Sequence, residues 1–270
     1  MRTFSLRATV LLALLLGAAP ALAQDDVQLI NIPLSRPGEP ISLEIDIMSA
    51  RIEVIGEDRE DAMFEVTVQE GQRKIVTPSG TKNLTSVGYE LEVDEHDNRI
   101  SFDTDWRSNK ISVIARVPRR ADLEISTIEG GEIIVSNITG NLELSNVQGP
   151  ITASGISGSV IAESVNAAID LAFVSIDEVT ASSMETVNGE LTVRLPANLG
   201  TQIHLDTAQG EIISDFEVDV QPSKPVITRN TDGGGSEVRI ESVIIANING
   251  GGPIIRMNSL NGDIHIRKTN

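Results

Sequence analysis

The sequence contains no cysteine, which excludes disulfide bridges, thiolate metal ligands and cysteine nucleophiles. Aromatic side chains are scarce as well, because the 270 residues include only one tryptophan, one tyrosine and five phenylalanines. Ligand pockets, and sugar subsites in particular, rely on aromatic walls, so this shortage disfavours an enzyme that acts on polysaccharides. Stability must therefore come from an aliphatic core, and the chain is long enough to build one.

Positive charge is the next deficit. Against 39 aspartate and glutamate residues there are only 21 lysine and arginine residues, for a formal net charge of −18 at pH 7. Nucleic acids and anionic lipid headgroups bind through basic side chains, so neither is expected as a partner. The carboxylates suit divalent cations or cationic peptides as ligands. A solvated acidic surface that only maintains solubility is the alternative interpretation.

Long apolar segments are absent, and the one short apolar run lies at the N-terminus. Arg2 and Arg7 precede a twelve-residue apolar stretch at 8–19, and an Ala-x-Ala cleavage pattern ends at Ala23. This arrangement predicts a cleavable signal peptide over residues 1–23. We expect the periplasm of a Gram-negative bacterium as the destination, or otherwise secretion or the cell surface. No transmembrane segment is expected after cleavage, because no later run reaches 18 apolar residues.

What the sequence does contain is a recurring phrase, apolar-x-Gly-x-apolar. Its first glycines are nine residues apart, and Ala167 continues that spacing. Alternating apolar residues follow each glycine, as at Leu142 and Leu144, and this period-2 pattern predicts one strand per unit. We expect the glycines to supply the positive φ that a tight turn needs. The turn glycines are Gly140, Gly149, Gly158, Gly189, Gly210 and Gly262.

A fixed short period is typical of proteins that coil repeating units. We therefore predict that residues 24–270 form a single all-β domain, an elongated β-solenoid resembling a parallel β-helix. Its strand–turn repeats of about 9–10 residues would place two or more strands in each coil, with coils about 4.8 Å apart. The expected interior contains Leu142, Ile151, Val160 and Ile169. An antiparallel meander with tight hairpins is the alternative.

Two segments interrupt this rhythm, near residues 69–86 and 217–236. The second contains Pro222, Pro225 and three consecutive glycines. We interpret both segments as excursions from the repeat. Long irregular loops are often functional, so both are candidate contact regions.

A hairpin is predicted around a turn at residues 95–98, with Val93 opposite Ile100. One of its faces would collect carboxylates, and opposed like charges need solvent, an arginine or a cation between them. A divalent cation is one hypothesis for this face, and a solvated acidic face is the other. No metal or cofactor site is expected elsewhere. The carboxylates are Glu90, Glu92, Asp103 and Asp105.

Longer motifs occur in five stretches: Thr186–Ala197, Ile203–Ile212, Arg116–Pro118, Gly251–Pro253 and Asn261–Ile264. Together they resemble the bacterial family of proposed adhesins known as domain of unknown function 4097, over roughly residues 41–268. The resemblance implies a β-strand repeat at the cell envelope, a role in adhesion or envelope stress, and no catalytic residues. The chain departs from the family pattern at Ala167 and around Ile176, which leaves the geometry of one corner open but not the fold.

Catalytic motifs are missing from the sequence. It has neither a G-x-S-x-G elbow nor a phosphate-binding loop. We therefore expect a non-catalytic, adhesin-like envelope protein that serves binding, surface architecture or envelope stress, with an unknown protein or cell-surface partner. One alternative is a polysaccharide-acting β-helix enzyme that uses a carboxylate pair such as Asp103 and Asp105. The other is an acidic binder of cations or cationic peptides.

Overall fold

A computed structural model describes residues 26–69, 91–104, 110–176, 179–221, 226–230, 237–241 and 243–269. All regular structure in these ranges is β-strand, which confirms the expected all-β class. The predicted signal peptide lies outside them. The strands are β1 (Asp26–Pro33), β2 (Ile41–Ile47), β3 (Ala50–Glu57), β4 (Asp61–Gln69), β5 (Leu91–His96), β6 (Arg99–Thr104), β7 (Lys110–Pro118), β8 (Ala121–Thr127), β9 (Ile133–Ser136), β10 (Thr139–Asn146), β11 (Ile151–Ser164), β12 (Ile169–Ile176), β13 (Ser182–Asn188), β14 (Leu191–Leu195), β15 (Thr201–Gln209), β16 (Ile212–Ser214), β17 (Val218–Gln221), β18 (Val226–Asn230), β19 (Glu237–Glu241), β20 (Ile244–Ile248), β21 (Ile254–Asn261) and β22 (Ile264–Lys268).

Twenty of these strands form one hydrogen-bonded sheet, and β18 and β19 form a separate pair. The large sheet consists of two rows of neighbouring strands, which we call the first and second ladders. The first ladder has the order β5-β6-β2-β8-β10-β11-β13-β21-β15-β20-β17. The second ladder has the order β1-β4-β7-β3-β9-β11-β12-β14-β22-β16. Strand β11 belongs to both ladders because it bends near Gly155, whose φ of 66° favours glycine.

Most pairings within the ladders are parallel, and the register repeats the sequence period. Leu142 lies opposite Val160 in the first ladder, and Ile151 lies opposite Ile169 in the second. Both partners are 18 residues further along the chain, which is twice the spacing of the glycines. Equivalent residues therefore lie beside each other on neighbouring strands.

The core consists of aliphatic side chains from both ladders, gathered in one buried cluster. The four residues predicted for the interior are all at most 2% exposed, which confirms the alternation deduced from the sequence. Fully burying a side chain of this size stabilises the fold by about 1.5–3 kcal/mol relative to leaving it exposed. The four are Leu142, Ile151, Val160 and Ile169.

The order of strands differs from chain order at both ends. Strands β6 and β7 lie beside β2 and β3, respectively, although β4 and β5 intervene in the chain. Strands β21 and β22 lie between β13 and β14 on one side and β15 and β16 on the other. Residues 237–268 therefore do not simply end the series, because the last two strands are inserted into it. Periodicity defines the buried face of a strand but not its neighbour.

The hairpin of β5 and β6 exists, but its predicted register is wrong by two residues. Val93 lies opposite Phe102, and His96 lies opposite Arg99. The turn contains only Asp97 and Asn98, whose φ angles of 58° and 62° are those of the two-residue turn that suits strand twist. A shift of two residues preserves the face of each side chain.

The two predicted excursions have different outcomes. Most of the first one, residues 70–86, lies outside the described residues. The second contains β17, which pairs with β20, and β18, which pairs with β19. Two strands therefore lie within this segment, and β19 begins directly after it at Glu237.

Candidate binding surface

At most of the described passages from the first ladder to the second, the chain uses one four-residue pattern; the passage from β2 to β3 departs from it, because Ile47 takes the first position. A small polar residue comes first, an apolar residue second, a residue with a polar side chain third, and glycine or alanine fourth. We call this pattern the corner motif. Its clearest copies are Asn146–Gly149, Ser164–Ala167, Thr186–Gly189, Thr207–Gly210 and Ser259–Gly262.

The fourth position favours glycine because neighbouring corners approach closely, although Ala167 occupies it in one copy. A Cβ on Gly189 would lie 2.1 Å from the carbonyl oxygen of Ala167, and one on Gly262 would lie 1.9 Å from that of Gly189. The backbone of Gly149, Gly189, Gly210 and Gly262 does not adopt positive φ, so the predicted role of these four glycines is wrong. Positive φ does occur at Gly140 and Gly158, at 157° and 136°.

The first position of the motif points inward and forms a column of buried polar side chains. Thr186 donates its hydroxyl to the carbonyl oxygen of Ala167 at 3.2 Å, and Thr207 donates to that of Gly262 at 3.0 Å. In the same column, Asn146 donates to the carbonyl of Gly131 at 3.0 Å. These bonds satisfy corner carbonyls that the ladders leave free. Three corners are thereby fixed by a side chain, whereas the buried hydroxyls of Thr127 and Ser164 in the same column have no hydrogen-bond partner among the described residues.

The second position of the motif points outward and forms the apolar corner row. Five of its side chains are between 39% and 51% exposed, and Val147 is partly buried. Their strands are successive neighbours in the first ladder, so the side chains follow one another along a line. The row is formed by Met48, Ile128, Val147, Val165, Val187 and Leu260.

The third position forms a polar row beside the apolar one. Asn188 donates its amide to Asn166 at 3.1 Å, and Asn261 donates to Asn188 at 2.9 Å. Stacked asparagines of this kind exchange hydrogen bonds along the direction of the ladder. From Val165 to Leu260 this flank of the apolar corner row is therefore neutral and already hydrogen-bonded, whereas an exposed carboxylate, Glu129, follows Ile128.

The other flank of the row is the outer face of the first ladder, and it is acidic. Glu44, Glu124 and Glu143 lie on three neighbouring strands in register. Glu163 and Glu185 lie opposite each other and close to the corner. Within the described ranges, no arginine, lysine or histidine forms an ion pair with any of these five carboxylates. Opposed like charges of this kind destabilise a sheet.

Several carboxylates on the second ladder are paired instead, although Glu65 on β4 forms no ion pair with a described residue. Arg194 donates to Asp170 through both Nε and Nη2, at 2.9 and 2.8 Å, and this hydrogen bonding raises the pKa of Arg194. Arg51 contacts Glu132 at 2.7 Å. Unpaired carboxylates therefore lie side by side on the first ladder, and two of them lie beside the apolar corner row.

A shallow groove of about 380 Å³ runs between the acidic flank and the apolar corner row. Its walls include Val147, Val165 and Val187 on one side and Glu163 and Glu185 on the other. The groove thus combines apolar contact area with unpaired negative charge. Neither the sequence period nor the net charge alone predicts the groove, but a glutamate two positions before both Val165 and Val187 was a usable signal.

The predicted acidic face of the hairpin is only partly described. Glu92 and Asp103 lie directly opposite each other and are exposed, while Glu90 and Asp105 fall outside the described residues. In the part of the chain that the structure describes, no three histidine or acidic side chains are grouped as a metal ion would require. His204 contacts Gln202 at 3.0 Å, and burial followed by the charge of Arg256 lowers its pKa.

Comparison with known proteins finds similarity to solved structures alone. No family model matches the chain, and no curated protein matches its sequence. Among solved structures, it is similar to a proposed cell adhesion protein from Clostridium sporogenes, with 12% identity, a TM-score of 0.48, and coverage of 91% of this chain and 100% of the other.

Two further structures of proposed adhesins show weaker similarity. The one from Bacteroides fragilis is 8% identical, with a TM-score of 0.26 and coverage of 91% of this chain and 98% of the other. The one from Parabacteroides merdae is 10% identical, with a TM-score of 0.23 and coverage of 90% and 96%. Across the described ranges, no helix has the length and apolar character needed to cross a membrane.

Proposed function

We propose that this protein is an exported, non-catalytic binding protein of the cell envelope, adhesin-like in presenting a long, repetitive surface. The observation that carries this proposal is the recurrence of one corner motif, in register, over successive strands of a ladder. Such a surface offers the same contact many times at fixed spacing. Repeated weak contacts add up to firm attachment when they can be made simultaneously.

The architecture that we propose for this surface is a solenoid with two strands in each coil. The pairs of strands succeed one another in the same order in both ladders, from β6 and β7 to β15 and β16, which supports coils that contribute one strand to each. Closely approaching glycine corners, and polar side chains that donate to corner carbonyls, restrict the movement of such a body. A rigid body loses little conformational freedom when it binds.

The proposed location follows from the N-terminal sequence. A basic start, a short apolar stretch and an Ala-x-Ala pattern direct export, and we propose the periplasm or the cell surface as the destination. Membership of the domain of unknown function 4097 family is part of the same proposal. The described similarity to proposed adhesins is compatible with it.

Envelope binding can be measured directly. Residues 24–270, purified and labelled, should bind isolated envelope fragments saturably, and unlabelled protein should compete. In parallel, the full chain should be recovered from the periplasmic or surface fraction, and a chain without residues 2–23 from the cytoplasm. Release of sugar fragments from a panel of polysaccharides, without saturable envelope binding, would refute the proposal and favour the enzyme alternative.

A further inference from the structure

The groove beside the apolar corner row is exposed on the described surface, and its chemistry specifies an occupant. Its apolar wall contains Val165 and Val187, each 39% exposed. Its opposite wall contains Glu163 and Glu185, which have no ion-pair partner among the described residues. A ligand that fits both walls must bring apolar side chains and positive charge in parallel lines.

We propose that this groove binds a cationic amphipathic helix. The inference deepens the proposed function by giving the binding surface a partner of defined chemistry. Apolar side chains of the helix would cover the apolar corner row, and lysine or arginine side chains on one flank would lie over the carboxylates of the first ladder. The asparagine row on the other flank would face the solvent-exposed side of the helix.

The spacing of the row favours a helix over an extended strand. Neighbouring strands of a ladder are about 4.8 Å apart, so the six side chains from Met48 to Leu260 span roughly 24 Å. A helix returns to the same face every 5.4 Å or so, and about 16 residues cover that length. An extended chain returns to the same face only every ~6.6 Å, which matches the row less well.

Charge also argues against a second copy of this chain as the occupant. A two-fold pairing through the apolar corner row would bring two acidic flanks towards each other. Glu163 and Glu185 of each copy would then add to the repulsion that already exists along the ladder. A basic partner relieves that repulsion, because it neutralises carboxylates that lack a counter-charge.

The test uses residues 24–270 and a labelled peptide of ~18 residues made of leucine, lysine and alanine, patterned as an amphipathic helix. Binding is measured by fluorescence anisotropy at physiological salt, where charges further apart than about 8 Å are screened. Two probes serve as controls: a scrambled peptide of identical composition, and the same helix with glutamate in place of lysine.

Two groove variants and one matched control test the site. We expect Glu163→Gln with Glu185→Gln, and separately Val165→Thr with Val187→Thr, to weaken binding about fivefold or more. The control pair Glu217→Gln with Asp219→Asn removes the same charge from an exposed segment at the far edge of the first ladder, and should change affinity by less than about twofold. All these positions are at the surface, so thermal unfolding should remain near that of the parent chain.

Equal loss of affinity in the control pair, or equal binding of the scrambled peptide, would mean general charge attraction and would overturn the inference. So would a dimer seen by sedimentation that the valine variants abolish. The outcome is separable from envelope binding: saturable binding to envelope fragments without peptide binding removes only this inference, whereas peptide binding without envelope binding removes only the adhesin-like role.

Discussion

Gly189 shows how a single residue controls the approach of two corners. The carbonyl oxygen of Ala167 lies 2.1 Å from the place that a Cβ on Gly189 would occupy. This oxygen also accepts the hydroxyl of Thr186, so it cannot move away freely. One corner earlier, Ala167 occupies the fourth position of the corner motif. The ladder is intact there, so that corner accommodates a methyl group.

Substitution of Gly189 by alanine should therefore be costly. We expect Gly189→Ala to lower the free energy of unfolding by about 2–3 kcal/mol, because backbone atoms must shift to relieve the overlap. Urea denaturation followed by circular dichroism measures the change. The matched control, Ala167→Gly, should cost no more than about 1 kcal/mol. A Gly189→Ala midpoint indistinguishable from that of the parent chain would show that the corner is loosely packed.

At the scale of the element, the two ladders differ in how they manage charge. The second ladder pairs several of its carboxylates with arginines, as Arg51 does with both Glu53 and Glu132. The first ladder places Glu44, Glu124 and Glu143 side by side on three strands without counter-charges in the described ranges. Repulsion between these carboxylates lowers the stability of the sheet. Such a cost is typical of a functional surface, and a cationic ligand would remove it.

Neutralising the middle carboxylate should stabilise the protein. We expect Glu124→Gln to raise the free energy of unfolding by about 0.5 kcal/mol at low salt, because it removes two like-charge contacts. Glu53→Gln, on the second ladder, should lower it by a similar amount, because Arg51 loses a partner. Urea midpoints at low and high salt provide the measurement, and salt should reduce both differences. A stabilising effect of both substitutions would mean that net charge alone matters.

For the whole molecule, the inserted pair β21 and β22 holds the C-terminal half together. Strand β21 contacts both β13 and β15, while β22 contacts both β14 and β16. Four strand edges thus depend on the last residues of the chain. By contrast, β18 and β19 pair only with each other among the described strands.

Two deletions should therefore behave in opposite ways. A chain ending at residue 253 should lose cooperative unfolding and aggregate, because unpaired edges with apolar faces recruit other chains. Replacing residues 222–243 by a turn of about four residues should change the melting temperature by less than about 3 °C. Circular dichroism melting and size-exclusion chromatography distinguish these results. A monomeric truncated chain with the parent melting curve would contradict the proposed role of the insertion.

Much of this protein follows from local patterns in its sequence. Alternating residues such as Leu142 and Leu144 identify the buried face of each strand, because side chains in a strand point to opposite faces in turn. The 18-residue offset between Leu142 and Val160 equals two glycine intervals. The excess of carboxylates was likewise visible in the composition.

Tertiary structure decided which strands became neighbours and what lay between them. Strands with the same alternation are locally interchangeable, so nothing in the period of β21 indicates that it lies between β13 and β15. The register of the β5–β6 hairpin depended on its two-residue turn. The alternation of buried and exposed residues could not fix that register, because a shift of two residues keeps every side chain on the same face. The groove exists only because successive corners align Val165 with Val187 beside Glu163, and alignment between strands is a property of packing rather than of any one segment.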